Sequence, residues 1–190
     1  MERALVICDS QKGAEFFQSF LTQNNLCDDV MVVTDADSGR RKIAQMDYDL
    51  CLINAPLKSE NGDDLAIEIG EKNVTQVILF VPGEYVDDIS AKVENYGVIT
   101  VPKPIVKSSL FSAVKLAAVT QQRVTMVRTE MAKLQRKLDE MRVVSRAKCV
   151  LVSVLGVDEE GAHKYIEKMA MDQRMSRIEV AEDVLRTYEV

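Results

Sequence analysis

The sequence predicts an α/β fold in which a five-stranded, parallel, doubly wound sheet is followed by a long coiled-coil helix and a small three-helix bundle. Three observations lead to this prediction. Short apolar runs alternate with segments of helix length in the first 105 residues, a 3.5-residue apolar repeat follows, and the C-terminal part contains helical patterns separated by turn signals. We therefore expect an N-terminal domain at 1–120, an arm at 121–141 and a C-terminal domain at 142–190.

The apolar runs of the N-terminal part are the expected strands, and they fall at 4–8, 30–33, 50–53, 77–81 and 97–101. The segments of helix length between them are 11–23, 36–46, 62–73 and 84–96. Strands that are apolar throughout are typical of a parallel sheet covered by helices on both faces. In such a sheet the functional groups lie at the carboxyl ends of the strands.

Composition excludes several classes of function. Apolar residues make up 47% of the 190 residues, yet no apolar run approaches the roughly 20 residues of a membrane span. The N-terminus lacks the pattern of a secretory signal, so we expect a cytoplasmic protein. The chain has one histidine and no Cys-x-x-Cys pair, P-loop, dinucleotide-binding or nucleophile-elbow motif. We expect a non-enzymatic protein that needs no metal and no cofactor.

Charge is distributed unevenly along the chain. Residues 1–105 contain 9 basic and 18 acidic side chains, whereas residues 106–148 contain 10 basic and 3 acidic ones. Residues 149–190 contain 5 basic and 9 acidic side chains. A basic arm joined to an acidic N-terminal domain is a candidate surface for a polyanion, and a solvated helix surface is the alternative explanation.

The residues that end the strands give the N-terminal domain its resemblance to a known family. Strand 1 ends at Asp9, strand 3 at Asn54, strand 4 at Val81, and strand 5 at Lys103-Pro104. This layout resembles a response-regulator receiver domain of two-component systems, a flavodoxin-like fold, over about residues 3–120. The lysine followed by proline is distinctive of that family, and the resemblance implies a cis peptide bond at Lys103-Pro104.

The resemblance also indicates that the phosphorylation chemistry has been lost. In receivers an aspartate after strand 3 accepts the phosphoryl group, and here that position is Asn54, whose amide cannot form an acyl phosphate. Cys8 replaces one of two acidic Mg²⁺ ligands, which removes an oxygen that Mg²⁺ prefers. Val81 replaces the hydroxyl residue after strand 4, and Thr100 the aromatic switch residue. We expect a pseudo-receiver in which Lys103 pairs with Asp9 or Asn54.

The arm carries an apolar seam with alternating gaps of three and four residues, the repeat of a coiled coil. The seam residues are Val124, Val127, Met131, Leu134, Leu138 and Met141. We expect a homodimer through this seam, because a helix this long has few places to bury a narrow stripe within its own chain. We also expect the last receiver helix to continue into the arm without a break.

The C-terminal part resembles the ANTAR family of antitermination regulators over about residues 135–188. The matching features are Arg146-Ala147-Lys148, the turn at 156–160, Ala162, Ala170-Met171 and Val180-Ala181. Gly156 suits the end of one helix, while Asp158 and Ser176 suit the starts of the next two. Cys149 and Gly161 depart from the family's usual residues.

The resemblance implies that the protein binds RNA hairpins in a leader transcript as a dimer and prevents a terminator from forming. The candidate RNA contacts are mainly basic side chains: Arg146, Lys148, His163, Lys164, Tyr165, Lys168, Gln173, Arg174 and Arg177. Basic residues are the strongest candidates because phosphate contacts supply much of the affinity for nucleic acids. Resemblance to an antiterminator that works without phosphorylation also suggests a sensor or inhibitor protein that acts at the receiver.

Two other functions remain open at this point. A DNA-binding response regulator would use the last helices as a helix-turn-helix, whose recognition helix is expected to be rich in basic and amide residues. The segment 177–188 instead carries three acidic and two basic residues. A dimeric protein-interaction regulator without RNA binding is the second alternative. Binding to hairpin RNA but not to duplex DNA distinguishes these functions.

Overall fold

A computed structural model describes residues 1–72 and 74–188 of the chain. Five strands and four helices alternate from the N-terminus: β1 (Arg3–Ile7), α1 (Gln11–Gln23), β2 (Asp29–Val33), α2 (Ala36–Gln45), β3 (Leu50–Asn54), α3 (Asp63–Lys72), β4 (Gln76–Pro82), α4 (Val86–Val93) and β5 (Val98–Lys103). Three helices follow: α5 (Lys107–Leu155), α6 (Glu159–Gln173) and α7 (Arg177–Tyr188). Within the described ranges, no helix is long and apolar enough to cross a membrane.

The five strands form one parallel sheet in the order β2-β1-β3-β4-β5, which confirms the predicted fold class. Alternate residues of each strand enter opposite cores because successive side chains point to opposite faces. One core contains Val6, Leu52 and Phe80, and the other contains Ile7 and Ile53. The sheet is therefore covered on both faces, as fully apolar strands require.

The largest differences from the expected element boundaries lie between β4 and β5. The segment 84–96, expected as one helix, is the short helix α4 between two 3₁₀ turns, Gly83–Tyr85 and Glu94–Tyr96. Gly97, expected to begin the fifth strand, has a φ of +74° and ends the second turn instead. Residue 73, the expected end of the third helix, lies outside the described residues.

Helix α5 is 49 residues long and continues from the N-terminal domain into the arm without a break, as expected. The chain divides into two compact units, Met1–Met126 and Val127–Val190, so α5 contributes residues to both. In the first unit Leu110, Val114 and Ala117 of α5 are buried against the sheet core. In the second unit the later part of α5 packs with α6 and α7.

The second unit is a three-helix bundle with a small core of its own. Its buried side chains come from all three helices and are Ala147, Leu151, Ala162, Ile166, Val180, Ala181 and Val184. Helix α5 ends at Leu155, and the next residue, Gly156, has a φ of +66°. The Asp158 carboxylate then accepts a hydrogen bond from the Gly161 N–H at 2.8 Å and caps α6, as predicted. Small alanines at the contacts let the helices approach closely.

Candidate receiver-type site and nucleic-acid interface

The carboxyl edge of the sheet carries the four residues that the sequence predicts as a degenerate receiver site. Asn54 and Lys103 end β3 and β5, Val81 is the last residue but one of β4, and Asp9 lies two residues after β1. The Asn54 side-chain amide donates a hydrogen bond to Cys8 Sγ at 3.3 Å. Val81 is fully buried in the second sheet core and offers no polar atom beyond its backbone. The Lys103-Pro104 peptide bond is cis, as the resemblance implied.

Lys103 has a partner that the sequence did not predict. Its ammonium group donates a hydrogen bond to the carbonyl oxygen of Ala55. The prediction that Lys103 pairs with Asp9 or Asn54 was therefore wrong, because its hydrogen bond goes to a backbone carbonyl. Burial lowers the pKa of Lys103, while Cys8 and Asp9 oppose that change. The lysine thus remains at the edge but is held by the backbone that follows β3.

Helix α1 packs tightly over the position where receivers hold their acidic pocket. A Cβ atom at Gly13 would lie 2.7 Å from Cys8 Sγ, so only glycine fits there without a shift of the thiol. The Cys8 thiol also donates to the Ser10 carbonyl oxygen at 3.4 Å. Cys8 is fully buried beneath this turn. The first turn of α1 and the Cys8–Asn54 pair therefore occupy this edge together.

An ionic contact joins α3 and α4 of the receiver-like unit. Lys92 of α4 lies 2.7 Å from an Asp63 oxygen and 2.8 Å from an Asp64 oxygen, both at the start of α3. The Lys92 ammonium donates a hydrogen bond to each carboxylate, and these two bonds raise the pKa of Lys92. The sequence gave no signal for this contact, because the partners lie on different helices.

In the C-terminal unit, a cleft of about 800 Å³ gathers three of the predicted contact residues. Lys148 comes from α5, His163 from α6 and Arg177 from the start of α7. Lys137, which the sequence analysis did not single out, lines the same cleft. Apolar side chains form much of the remaining surface: Met141, Val144, Ile166 and Ile178.

Glu167 contacts the side chains of two residues that line this cleft, His163 and Arg177. Its Oε1 lies 3.3 Å from His163 Nε2 and 3.5 Å from Arg177 Nη1. Lys148 lies farther from its acidic neighbour, at 3.9 Å from Glu159. The cleft thus combines an apolar floor with basic groups, two of which share one carboxylate oxygen.

The other predicted contacts lie elsewhere on the bundle. Lys164 is exposed and pairs with Glu160 at 2.6 Å, and Lys168 follows one turn later on the same face of α6. Gln173 and Arg174 end α6, where Arg174 adopts a left-handed φ of +56°. Arg146 is exposed on α5. Tyr165 is half-buried and packs against the core of the bundle.

The predicted seam forms an exposed apolar stripe along α5. Val127, Met131, Leu134, Leu138 and Met141 are between 50% and 68% exposed, and Val124 is half-buried. The same alternation of three and four residues continues through Ser145 and Lys148 to Val152 and Leu155. Val152 and Leu155 are also exposed, so exposed apolar side chains occur again beyond Met141, the last residue of the predicted seam.

Comparison with known proteins agrees with both halves of this structure. Residues 132–185 match the family model of the ANTAR domain. The transcriptional regulatory protein PdtaR of Mycobacterium tuberculosis is 28% identical over 159 residues, which cover 82% of this chain and 78% of that protein. The match therefore extends over both units.

Solved structures resemble the N-terminal part. A signal receiver domain of an HD domain-containing protein from Pseudomonas fluorescens has a TM-score of 0.58 and 22% identity, covering 66% of this chain and 92% of that one. A CheY-like response regulator receiver domain from Methanospirillum hungatei has a TM-score of 0.58 and 19% identity, covering 65% and 98%. At these identities the likeness establishes the receiver fold.

Proposed function

We propose that this chain, an ANTAR response regulator with an N-terminal receiver fold, binds hairpin loops in leader transcripts as a homodimer and prevents transcription termination. The observation that carries the proposal is the cleft of the C-terminal unit, where Lys148, His163 and Arg177 converge beside an apolar floor. This cleft lies within the segment that matches the ANTAR model.

The chemistry of the cleft suits a single-stranded nucleotide. Sequence-specific RNA recognition targets unstacked loop bases, which need an apolar or aromatic surface and nearby polar groups. Val144 and Ile178 supply the apolar surface, and basic side chains of the cleft supply the attraction for phosphates. Arg146, Lys164, Lys168, Gln173 and Arg174 are candidates for contacts outside the cleft.

The exposed seam supports the homodimer. Large apolar side chains that are half exposed or more, in one continuous stripe, are uncommon on a monomeric protein. Two copies of α5 packed through the stripe would remove these side chains from water, at roughly 1.5–3 kcal/mol for each large one that is fully buried. The extension to Val152 and Leu155 lengthens the contact beyond the arm.

The N-terminal unit supports control by contact with a protein in place of phosphorylation. Asn54 stands where an acceptor aspartate is needed, and its amide is committed to Cys8. Because α5 begins in the receiver fold and ends in the ANTAR domain, a sensor or inhibitor protein bound at the N-terminal unit can change the spacing of the two bundles in a dimer. No acyl phosphate is needed for this coupling.

The test is a binding titration of the full chain against a two-hairpin leader RNA. Scrambled loops and duplex DNA are the competing ligands, and the double variant Arg146→Ala, Lys148→Ala removes the basic pair. The variant Lys107→Ala, Lys115→Ala is the matched control, since it removes the same charge from the same helix within the N-terminal unit. We expect loop-dependent binding that only the first variant loses.

Two results would overturn the proposal. Preference for duplex DNA over hairpin RNA would favour the DNA-binding alternative. Absence of binding to either nucleic acid, together with a captured partner protein, would favour a dimeric protein-interaction regulator.

A further inference from the structure

One carboxylate oxygen lies between two of the side chains that line the cleft, His163 and Arg177. Glu167 Oε1 lies between His163 Nε2, at 3.3 Å, and Arg177 Nη1, at 3.5 Å. His163 and Glu167 are one turn apart on α6, whereas Arg177 opens α7. An anionic oxygen is therefore held between donors from two helices, which is the arrangement that a phosphate oxygen also takes with basic side chains.

We propose that Glu167 holds the place of an RNA phosphate in the free protein and is displaced by that phosphate when RNA binds. This inference rests on the proposed function and names the group that regulates the same site. The carboxylate is suited to leave, because its side chain is 45% exposed and can turn outward into water. Arg177, at 63% exposed, can follow the incoming phosphate.

Displacement of Glu167 lowers the affinity of the cleft for any ligand that offers only phosphates. A polyanion that offers only phosphates must replace an existing ion pair, so its net gain is small. An RNA loop that also places a base against Val144 and Ile178 gains apolar burial in addition. Glu167 therefore lowers the affinity for every polyanion and leaves an advantage to ligands that fill the apolar part of the cleft.

The experiment compares Glu167→Gln with Glu160→Gln in the full chain. Both changes remove one negative charge from an exposed position of α6 and keep the side-chain shape. Glu160 pairs with Lys164 at 2.6 Å, whereas the ion pairs of His163 and Arg177 are with Glu167, so Glu160 controls for net charge. Each variant is titrated with the two-hairpin RNA and with its loop-scrambled form, and thermal unfolding checks that both are folded.

We expect Glu167→Gln to bind both RNAs about twofold to fivefold more tightly, the range that loss of one exposed ion pair allows. Both RNAs gain by a similar factor, because each displaces the same ion pair. Glu160→Gln changes the affinity for both RNAs by less. Equal effects of the two variants, or weaker binding by Glu167→Gln, overturn the inference while leaving the proposed function intact. Failure of the unmodified chain to bind the hairpin RNA overturns both.

Discussion

The Asn54 amide donates to Cys8 Sγ at 3.3 Å, joining the ends of two neighbouring parallel strands. In a working receiver these two positions would hold carboxylates around a divalent cation. Here the pair consists of a thiol and an amide, and it lies beneath the first turn of α1, where Gly13 leaves room only for the Cys8 sulfur. The sheet has the fold of a receiver, but a thiol and an amide stand at these two positions in place of carboxylates.

The first prediction concerns phosphorylation. The full chain incubated with acetyl phosphate and Mg²⁺ should gain no phosphoryl group by intact mass, because an amide cannot form the acyl phosphate. Asn54→Asp alone should also fail, since Cys8 and Val81 still replace an oxygen ligand and a hydroxyl. A conventional receiver treated in parallel is the control. Stoichiometric, Mg²⁺-dependent labelling of the unmodified chain would contradict the pseudo-receiver.

The second prediction concerns the seam. Leu134→Asp should weaken the dimer on the order of a hundredfold or more, because it places a charge at an interface and removes a buried leucine from each copy. Light scattering of the full chain measures the mass directly. Lys133→Asp is the control: it introduces the same residue at the neighbouring exposed position, off the repeat. Identical masses for the two variants would show that the seam is not the interface.

The sequence was sufficient to predict the sheet, because each buried strand is a continuous apolar run and the helices between them have ordinary lengths. The ends of the elements were harder to predict. The fifth strand extends to Lys103 because Pro82 and Lys103 are paired across the sheet. Such pairing is between backbones, so the residue types at these positions do not reveal it. The expected helix 84–96 is divided because its ends tighten into 3₁₀ turns.

In the candidate sites, the residue types could be predicted from the sequence, but the contacts between them could not. Strand ends located Asn54 and Lys103, but the partner of Lys103 is a backbone carbonyl, which every residue carries. Lys148, His163 and Arg177 could be selected as basic residues, yet their convergence depends on how three helices cross. Glu167 was missed for that reason: its spacing to His163 is visible in the sequence, and its contact with Arg177 is not.

The third prediction compares two faces of the ANTAR bundle. Lys148→Ala with Arg177→Ala removes two charges from the cleft, whereas Lys164→Ala with Lys168→Ala removes two from the outer face of α6. The first pair should lower the slope of log affinity against log salt by roughly 1.4, about 0.7 for each lost phosphate contact with single-stranded RNA. The second pair should change it less. The opposite order would move the interface to the outer face.

The last prediction concerns the start of α7, which positions Arg177. The Glu179 carboxylate accepts hydrogen bonds from the Ser176 backbone N–H and hydroxyl, each at 2.7 Å, and the Glu179 N–H donates to Ser176 Oγ at 3.3 Å. This reciprocal capping box lowers the pKa of Glu179 below its ordinary value of 4.5. A lowered folded-state pKa means that the ionised form stabilises the fold.

That contribution is present above the ordinary pKa and is lost as the pH falls through the folded-state value. Glu179→Gln should therefore lower the thermal stability of the C-terminal unit at neutral pH, and its difference from the unmodified chain should shrink in acid. Glu182→Gln, one turn position further along the same helix and exposed, is the control for net charge. A difference that stays constant with pH, or that Glu182→Gln reproduces, would show that the cap does not hold α7 and Arg177 in place.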